Sequence, residues 1–288
     1  MNVPDIAAAD QFLAATARVL DRRRFDRLFR DASAGPVRDA VAAYRNADGG
    51  FGHGLEPDGR APGSQPAAIE MALRILDQAD AWDLGLVTGA CNWLEAHAPA
   101  EGGASFVEPT IEGWPHAFWW VPQEPRTASL IQTGWIAGTL HARGVTHSWL
   151  ERATELLWSR LDTLDNADAF EMLGILRFLQ HVPDRVHAES TFSRVGPMLI
   201  DRGLVALDVD AEGHVHSPLD FAPLPSSLAR RLFDRRIIDA HLDHLAAGQA
   251  DDGGWRFNWP VWSPRAEHDW RGFVTVDALW VLRANGRL

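Results

Sequence analysis

The sequence has no lysine, one cysteine, one tyrosine and no long apolar run. A single thiol, Cys91, excludes an internal disulfide framework and a zinc site built from several cysteines. No apolar run approaches the ~20 residues of a membrane-spanning helix, so we expect no integral membrane segment. The first residues carry no basic stretch ahead of their Ala-rich segment, which argues against a secretory signal and favours a cytoplasmic location.

Acidic residues are in excess, with 39 Asp and Glu against 27 basic residues, all arginine, and a net charge of −12. Such a chain is poorly suited to bind nucleic acid, so no nucleic-acid partner is expected. Hydrophobic residues make up 46% and charged residues 23%, which is typical of a globular protein. A chain of 288 residues can bury a core without help from a metal.

Helical periodicity dominates the chain, and strand-like alternation is scarce. Asp5 is placed to cap a first helix whose apolar face carries Phe12 and Leu13. Glycine turns recur after helical segments, at Asp48-Gly49-Gly50-Phe51, Glu101-Gly102-Gly103-Ala104, Glu212-Gly213-His214 and Asp252-Gly253-Gly254-Trp255. This spacing predicts a repeated helix pair of about 40 to 60 residues. Stacked helix pairs form an open solenoid or a closed toroid, so we predict an all-α fold.

The last of these turns carries the most specific pattern. An aliphatic residue, three residues, a glutamine, a short gap and Gly-x-Trp stand at Leu245, Gln249, Gly253 and Trp255. This resembles the glutamine–tryptophan repeat of squalene cyclases and other class II terpene cyclases. The chain is identified as a member of the terpenoid-cyclase and protein-prenyltransferase superfamily, closest to uncharacterised bacterial members. The resemblance implies one α/α toroid domain over residues 1–288, with an inner and an outer ring of helices.

The catalytic motifs of that superfamily are mostly absent. Asp208-Val209-Asp210-Ala211 lacks the last Asp of the Asp-x-Asp-Asp motif that class II cyclases use to protonate an alkene. Cys91 does not match the Asp-x-Cys zinc ligands of prenyltransferases, and Asp251-Asp252 is followed by glycine instead of Asp-Asp-x-x-Asp. We therefore predict no bound metal and no cofactor, with Mg²⁺ only if the ligand is a diphosphate, and leave open whether the protein is an enzyme.

The first candidate site is the loop with His53, Glu56 and Asp58, which we predict to be catalytic. A carboxylic acid buried against apolar walls has a raised pKa and can act as a general acid. The two carboxylates could instead hold Mg²⁺. The alternative is a solvated loop whose carboxylates cap a helix or pair with Arg60.

Two Trp-rich segments are the candidate ligand-binding walls. We predict that ligand is bound by Glu112, Trp114, His116, Trp119 and Trp120 in the first, and by Trp259, Trp262, His268, Asp269 and Trp270 in the second. Aromatic faces stabilise cations by about 0.5–2 kcal/mol each. The alternatives are a packed structural loop for the first segment and a surface charge network for the second. All three loops follow the same turn of the repeat, so we predict that they converge at one rim of the barrel.

These features favour an apolar or isoprenoid-type ligand in a central cavity. A chain of about 15 carbons gains roughly 12 kcal/mol on burial, before the costs of association. The reaction, if there is one, is acid-initiated cyclisation or a related lyase or isomerase step. One alternative is a carbohydrate-active α/α barrel, in which tryptophans stack on sugar rings and paired carboxylates act on them. The other is a non-enzymatic binding or scaffold protein. The oligomeric state stays open.

Overall fold

The structure, a computed structural model, describes residues 3–288 and is all-helical. Helices account for 56% of these residues, and within them there is no strand beyond three isolated bridges. The predicted all-α class is confirmed. In the described part of the chain, no helix is both long enough and apolar enough to cross a bilayer.

The α-helices are α1 (Ile6–Thr16), α2 (Val19–Phe29), α3 (Gly35–Ala42), α4 (Pro66–Gln78), α5 (Leu84–His97), α6 (Leu130–Ala142), α7 (Ser148–Asp162), α8 (Ala169–His181), α9 (Arg185–Val195), α10 (Met198–Asp201), α11 (Pro218–Phe221), α12 (Arg235–Ala247) and α13 (Pro264–Ala284).

The chain divides into two compact units. Unit 1 combines Met1–Val37 with Pro197–Leu288, and unit 2 is the continuous segment Arg38–Gly196. Because unit 1 is built from both ends of the chain, its N-terminal helices pack against C-terminal ones. The closed toroid with two rings, and a single domain over residues 1–288, stay predictions.

In unit 1, the long helix α13 packs against α1, α2 and α12, and α11 packs against α12. Arg24 of α2 lies fully buried between two carboxylates. Its Nη1 is 3.1 Å from Asp21 Oδ1, and its Nη2 is 2.6 Å from Asp277 Oδ1 on α13. The guanidinium also stacks 4.3 Å from the ring centroid of Phe273. A buried charge needs such partners, because leaving it unpaired in a low-dielectric interior is very costly.

In unit 2, α6 lies between α4 and α8 and also packs against α7. Glycines allow α6 and α8 to approach backbone to backbone. A Cβ at Gly134 would lie 2.5 Å from the carbonyl oxygen of Gly174, and one at Gly138 would lie 2.6 Å from that of Arg177. Larger residues at these positions would force the two helices apart.

The two best copies of the repeat turn have the same geometry. An antiparallel bridge joins Arg45 to Phe51 in one and Gln249 to Trp255 in the other. The aromatic residue that ends each turn is buried.

Each turn also contains a glycine in the left-handed region, Gly49 at φ 92° and Gly253 at φ 90°. These glycines do not themselves end the helices. Helix α3 ends at Ala42 and α12 at Ala247, so the glycines form a separate turn several residues later.

Candidate functional site

Two loops of unit 2 pair through their backbones. We name residues 53–60 the acid loop and residues 111–121 the aromatic loop. Gly59 and His116 form an antiparallel bridge. The N–H of Arg60 donates to Pro115 O at 2.9 Å, and the N–H of Ala117 donates to Asp58 O at 2.7 Å. The predicted catalytic loop and the first Trp-rich segment therefore lie side by side.

Within the acid loop, the two carboxylates are buried. Glu56 is 9% and Asp58 is 7% exposed. The N–H of Asp58 donates to Glu56 Oε2 at 2.7 Å, so the Glu56 side chain helps to fold the loop. The neighbouring Leu55 is completely buried. The two carboxylates are therefore not solvated, and their pairing with Arg60 stays a prediction.

His53 differs from the two carboxylates because it is exposed. Its Nε2 lies 2.9 Å from Asn46 Oδ1, and its N–H donates to Ala61 O at 2.9 Å. Its φ of 57° is unusual for a residue with a side chain, and Gly54 follows at 75°. These contacts give His53 a role in the shape of the loop.

The aromatic loop has one anchored ring and an exposed aromatic surface. Trp120 is 3% exposed and packs edge-on to Phe106, with the ring centroids 6.2 Å apart. Gly59 makes room for it, since a Cβ there would lie 2.6 Å from the Trp120 ring. In contrast, Trp114 is 49% and Phe118 is 76% exposed.

The other predicted residues of this loop surround the exposed rings. Trp119 is half-buried and packs edge-on to Phe118, with centroids 4.7 Å apart. Glu112 is exposed, and the half-buried His116 places its Nδ1 2.6 Å from Trp114 O. The loop is therefore a packed structural element on its Trp120 side and an accessible aromatic surface on its Trp114 side.

A small cavity lies between the two loops and the start of α4. Its volume is about 10 Å³, which is about the space that one water needs. Glu56 and Gln65 supply its polar side chains, and the remaining lining is Gly52, Gly54, Leu55, Gly59, Ala61, Ala68, Ile111 and Trp120. This cavity cannot hold an isoprenoid chain as it stands.

A third buried carboxylate, Glu108, belongs to the same region and was not predicted. Arg126 Nη1 donates to its Oε2 at 2.9 Å, and the Ser105 hydroxyl donates to its Oε1. The Gln65 side chain bonds its backbone N–H and C=O, at 2.9 and 3.2 Å. No local sequence signal separates Glu108 from the exposed Glu112, because its partners Arg126 and Gln65 lie 18 and 43 residues away in the chain.

The second Trp-rich segment lies in unit 1. Trp259 stacks on Phe257, with centroids 4.4 Å apart, and meets Trp270 edge-on at 5.2 Å. Trp262 is half-buried, and its Nε1 has no hydrogen-bond partner within residues 3–288.

The rest of this segment is helical. Ser263 caps α13 and Pro264 occupies its first turn, so the helix begins within the Trp-rich segment. His268 and Asp269 therefore lie on a helix. His268 is exposed, whereas Asp269 is 1% exposed and pairs with Arg265 at 3.0 Å. Convergence of this segment with the loops of unit 2 stays a prediction.

The described side chains offer few groups that could bind a metal ion. Within residues 3–288, no group of three His, Cys, Asp or Glu side chains is arranged to hold a metal ion. Burial, with the nearby charge of Glu95, raises the pKa of the Cys91 thiol to about 12. The thiolate that binds metals is therefore strongly disfavoured.

Comparison of the sequence with models of known protein families, and with curated proteins, gives no match.

Proposed function

We propose that the protein binds an apolar, isoprenoid-type small molecule on the aromatic loop of unit 2, as a terpene-cyclase-like member of the superfamily it resembles. The observation that carries the proposal is the backbone pairing at Gly59 and His116. This pairing sets two buried carboxylates beside a loop whose outer surface is aromatic and accessible. The proposal includes no metal or cofactor.

The binding energy comes from the exposed rings. Trp114 and Phe118 leave a large apolar surface in water. Covering one such side chain with an apolar ligand gains about 1.5–3 kcal/mol. Because the backbone of the loop is paired with the acid loop, ordering the loop on binding costs little conformational entropy.

The proposal also assigns a reaction to the carboxylates. A protonated Glu56 or Asp58 transfers its proton to an alkene carbon, and the faces of Trp119 and Trp120 stabilise the resulting carbocation. Loss of a proton from a neighbouring carbon to the carboxylate restores the acid. The small cavity beside Glu56 does not admit the alkene, so this step requires Trp120 to move.

Binding is tested by titrating the protein with farnesol, a 15-carbon alcohol, and following tryptophan fluorescence and heat. We expect saturable binding that weakens about tenfold in Trp114→Ala and in Phe118→Ala, since 1.4 kcal/mol corresponds to a factor of ten. The matched control is Leu84→Ala, because Leu84 is also apolar, 71% exposed and in unit 2. Equal loss in all three variants, or no binding by the native protein, would contradict the proposal.

The acid step is tested by incubating farnesol with the protein in D₂O. Reversible protonation of an alkene exchanges hydrogen for deuterium, which mass spectrometry detects. Glu56→Gln and Asp58→Asn keep the acceptor oxygen but cannot deliver an acidic proton, so exchange should stop in at least one of them while farnesol still binds. Unchanged exchange in both variants would assign the protein to the non-enzymatic alternative.

One observation favours a carbohydrate ligand as the second candidate. Polar side chains flank the exposed Trp114, with Glu112 exposed and His116 half-buried on the same loop. Aromatic rings bordered by hydrogen-bonding groups suit sugar rings. The same titration with maltotriose in place of farnesol distinguishes the two candidate functions. Saturable binding of maltotriose, with no binding of farnesol, would select the carbohydrate ligand.

A further inference from the structure

A cluster of two arginines and a tryptophan lies outside the loops, where helices α4, α6 and α8 of unit 2 pack together. Arg74 comes from α4, Trp135 from α6 and Arg177 from α8. The guanidinium carbons of Arg74 and Arg177 lie 5.3 and 5.6 Å from the ring centroid of Trp135. Two guanidinium groups therefore lie against one aromatic ring.

Arg177 is held in a fixed orientation. Its Nη2 donates to Asp77 Oδ2 at 2.8 Å and its Nε to Thr139 Oγ1 at 3.4 Å. Within residues 3–288, no group accepts a hydrogen bond from its Nη1. The side chain is 19% exposed, so a small ligand can reach it.

The carboxylate that Arg177 binds is shared with another arginine. This carboxylate, Asp77, also pairs with Arg143, whose Nε lies 2.6 Å from Asp77 Oδ1. Burial is the largest effect and lowers the pKa of Arg177; Asp77 and Glu70 oppose this, and the charge of Arg74 adds to it. A bound anion would compensate the desolvated guanidinium.

A second polar group lies one turn further along α8. The Nε2 atom of His181 is buried, and it has no hydrogen-bond partner in the described part of the chain. Buried polar atoms are usually bonded, so an orphaned one needs an explanation. A ligand oxygen near Arg177 would supply the missing partner.

We propose that Arg177 and Arg74, with Trp135 as a platform, bind the oxyanion of a small ligand, either a carboxylate or a phosphate. The planar guanidinium presents paired donors that match both groups, which a lysine ammonium does not. This site is separate from the aromatic loop and does not depend on the function proposed for that loop.

The first experiment uses the full chain and three probes: benzoate, its neutral analogue benzamide, and inorganic phosphate. Calorimetry and tryptophan fluorescence report binding. We expect benzoate or phosphate to bind saturably, at least about tenfold more tightly than benzamide. The better of the two anions identifies the source of the oxyanion. Absence of saturable binding of both anions, or equal binding of benzamide, overturns the proposal.

The second experiment locates the site. Arg177→Lys keeps the charge but loses the paired donors, so anion binding should weaken by about tenfold or more. Arg152→Lys is the matched control, because Arg152 is an exposed arginine of unit 2 that pairs with Glu95. If Arg177→Lys does not fold, Arg74→Lys replaces it. Anion binding that is unchanged in the folded variant overturns the assignment, and farnesol binding should be unaffected in both.

Discussion

The turns at 45–51 and 249–255 have the same backbone but different side-chain partners. In both, the second residue of the turn donates to the sixth at 2.9 Å, from Asn46 to Gly50 and from Ala250 to Gly254. An aspartate side chain accepts from a glycine N–H in each, at 2.9 and 3.1 Å. The glycine turn is therefore a local structure that either unit can build from the same short sequence.

The two turns differ in the hydrogen bonds made by the side chain of their first residue. Gln249 bonds the backbone of Asp5 twice, as acceptor at 2.7 Å and as donor at 2.8 Å, and also donates to Gly253 O. It thus joins the start of α1 to the C-terminal part of unit 1. Arg45 at the equivalent position is exposed, and its side chain makes no hydrogen bond within residues 3–288. The glutamine therefore carries a long-range role that its local pattern does not reveal.

The aromatic residues give the largest expected effect. Trp255 is 3% exposed, and its Nε1 donates to Leu245 O at 2.8 Å, whereas Phe51 is 1% exposed and has no polar atom. We expect Trp255→Ala and Phe51→Ala each to lower the free energy of unfolding by about 3–5 kcal/mol in urea titrations. Trp255→Phe should cost about 1 kcal/mol from the hydrogen bond, beyond any packing loss. An unchanged urea midpoint for Trp255→Ala would remove the repeat interpretation.

The glycines of the two turns give the second-largest expected effect on stability. A Cβ at Gly253 would lie 2.2 Å from the carbonyl oxygen of Ala8, and one at Gly49 would lie 2.7 Å from that of Gly89. Gly253→Ala should therefore cost about 2–5 kcal/mol, from backbone strain and overpacking, and Gly49→Ala somewhat less. Gly213→Ala is the control, because Gly213 has a φ of 91° and open space around it. It should cost only the strain, about 1–2 kcal/mol. Equal costs at all three positions would show that the close approaches are unimportant.

Replacement of Gln249 should destabilise the protein less than replacement of Gly253. Gln249→Ala removes three hydrogen bonds in a partly exposed setting, so we expect a loss of about 1–2 kcal/mol in the free energy of unfolding. Arg45→Ala should change it by less than about 0.5 kcal/mol. Protection of the α1 amides against hydrogen exchange should fall in Gln249→Ala alone. A larger loss in the free energy of unfolding from Arg45→Ala than from Gln249→Ala would contradict the long-range role assigned to Gln249.

The smallest expected effect is a pH dependence confined to unit 2. Burial, with the charges of Arg177, Arg185 and His141, lowers the pKa of His181 from 6.5 to about 4, and Asp77 opposes this. Between these pH values the unfolded chain binds the proton more readily, so stability is complete above pH 6.5 and declines as the pH falls towards 4. Burial lowers the pKa of His141 too, which acts in the same direction.

Urea midpoints at pH 7.5 and pH 5 test this dependence. The drop between them should be smaller in His181→Gln than in the native protein. The carboxyls of Asp252 and Glu101 have pKa values below their ordinary ones of 3.8 and 4.5, so their stabilisation is lost mainly at more acidic pH. A drop of the same size in the variant would assign the dependence to other groups.

The candidate site was predictable only in part. Its loops follow glycine turns, and the Trp-rich composition of residues 114–120 is visible directly, so the proximity of acids and aromatic rings could be predicted. Burial could not, because Trp114 and Trp120 lie on one short loop yet differ in exposure, 49% against 3%. Trp120 is buried because Gly59 leaves space for its ring.

The charged partners could not be predicted at all. Glu108 depends on Arg126 and Gln65, and Arg177 depends on Asp77, one hundred residues earlier in the chain. Electrostatic pairing depends on distance in space and has no periodicity along the sequence. The start of α13 at Pro264 is obscured in the sequence for another reason, because a run of aromatic and charged residues surrounds its Ser263 cap.

The sequence alone determined the helical class and the glycine turns, because helix periodicity and left-handed glycine conformations are local properties of short segments. The tertiary structure decided which carboxylates are buried, which tryptophans stay accessible and which arginines lie against Trp135. Those outcomes depend on desolvation and on partners from distant parts of the chain, whose energies exist only once the helices have packed.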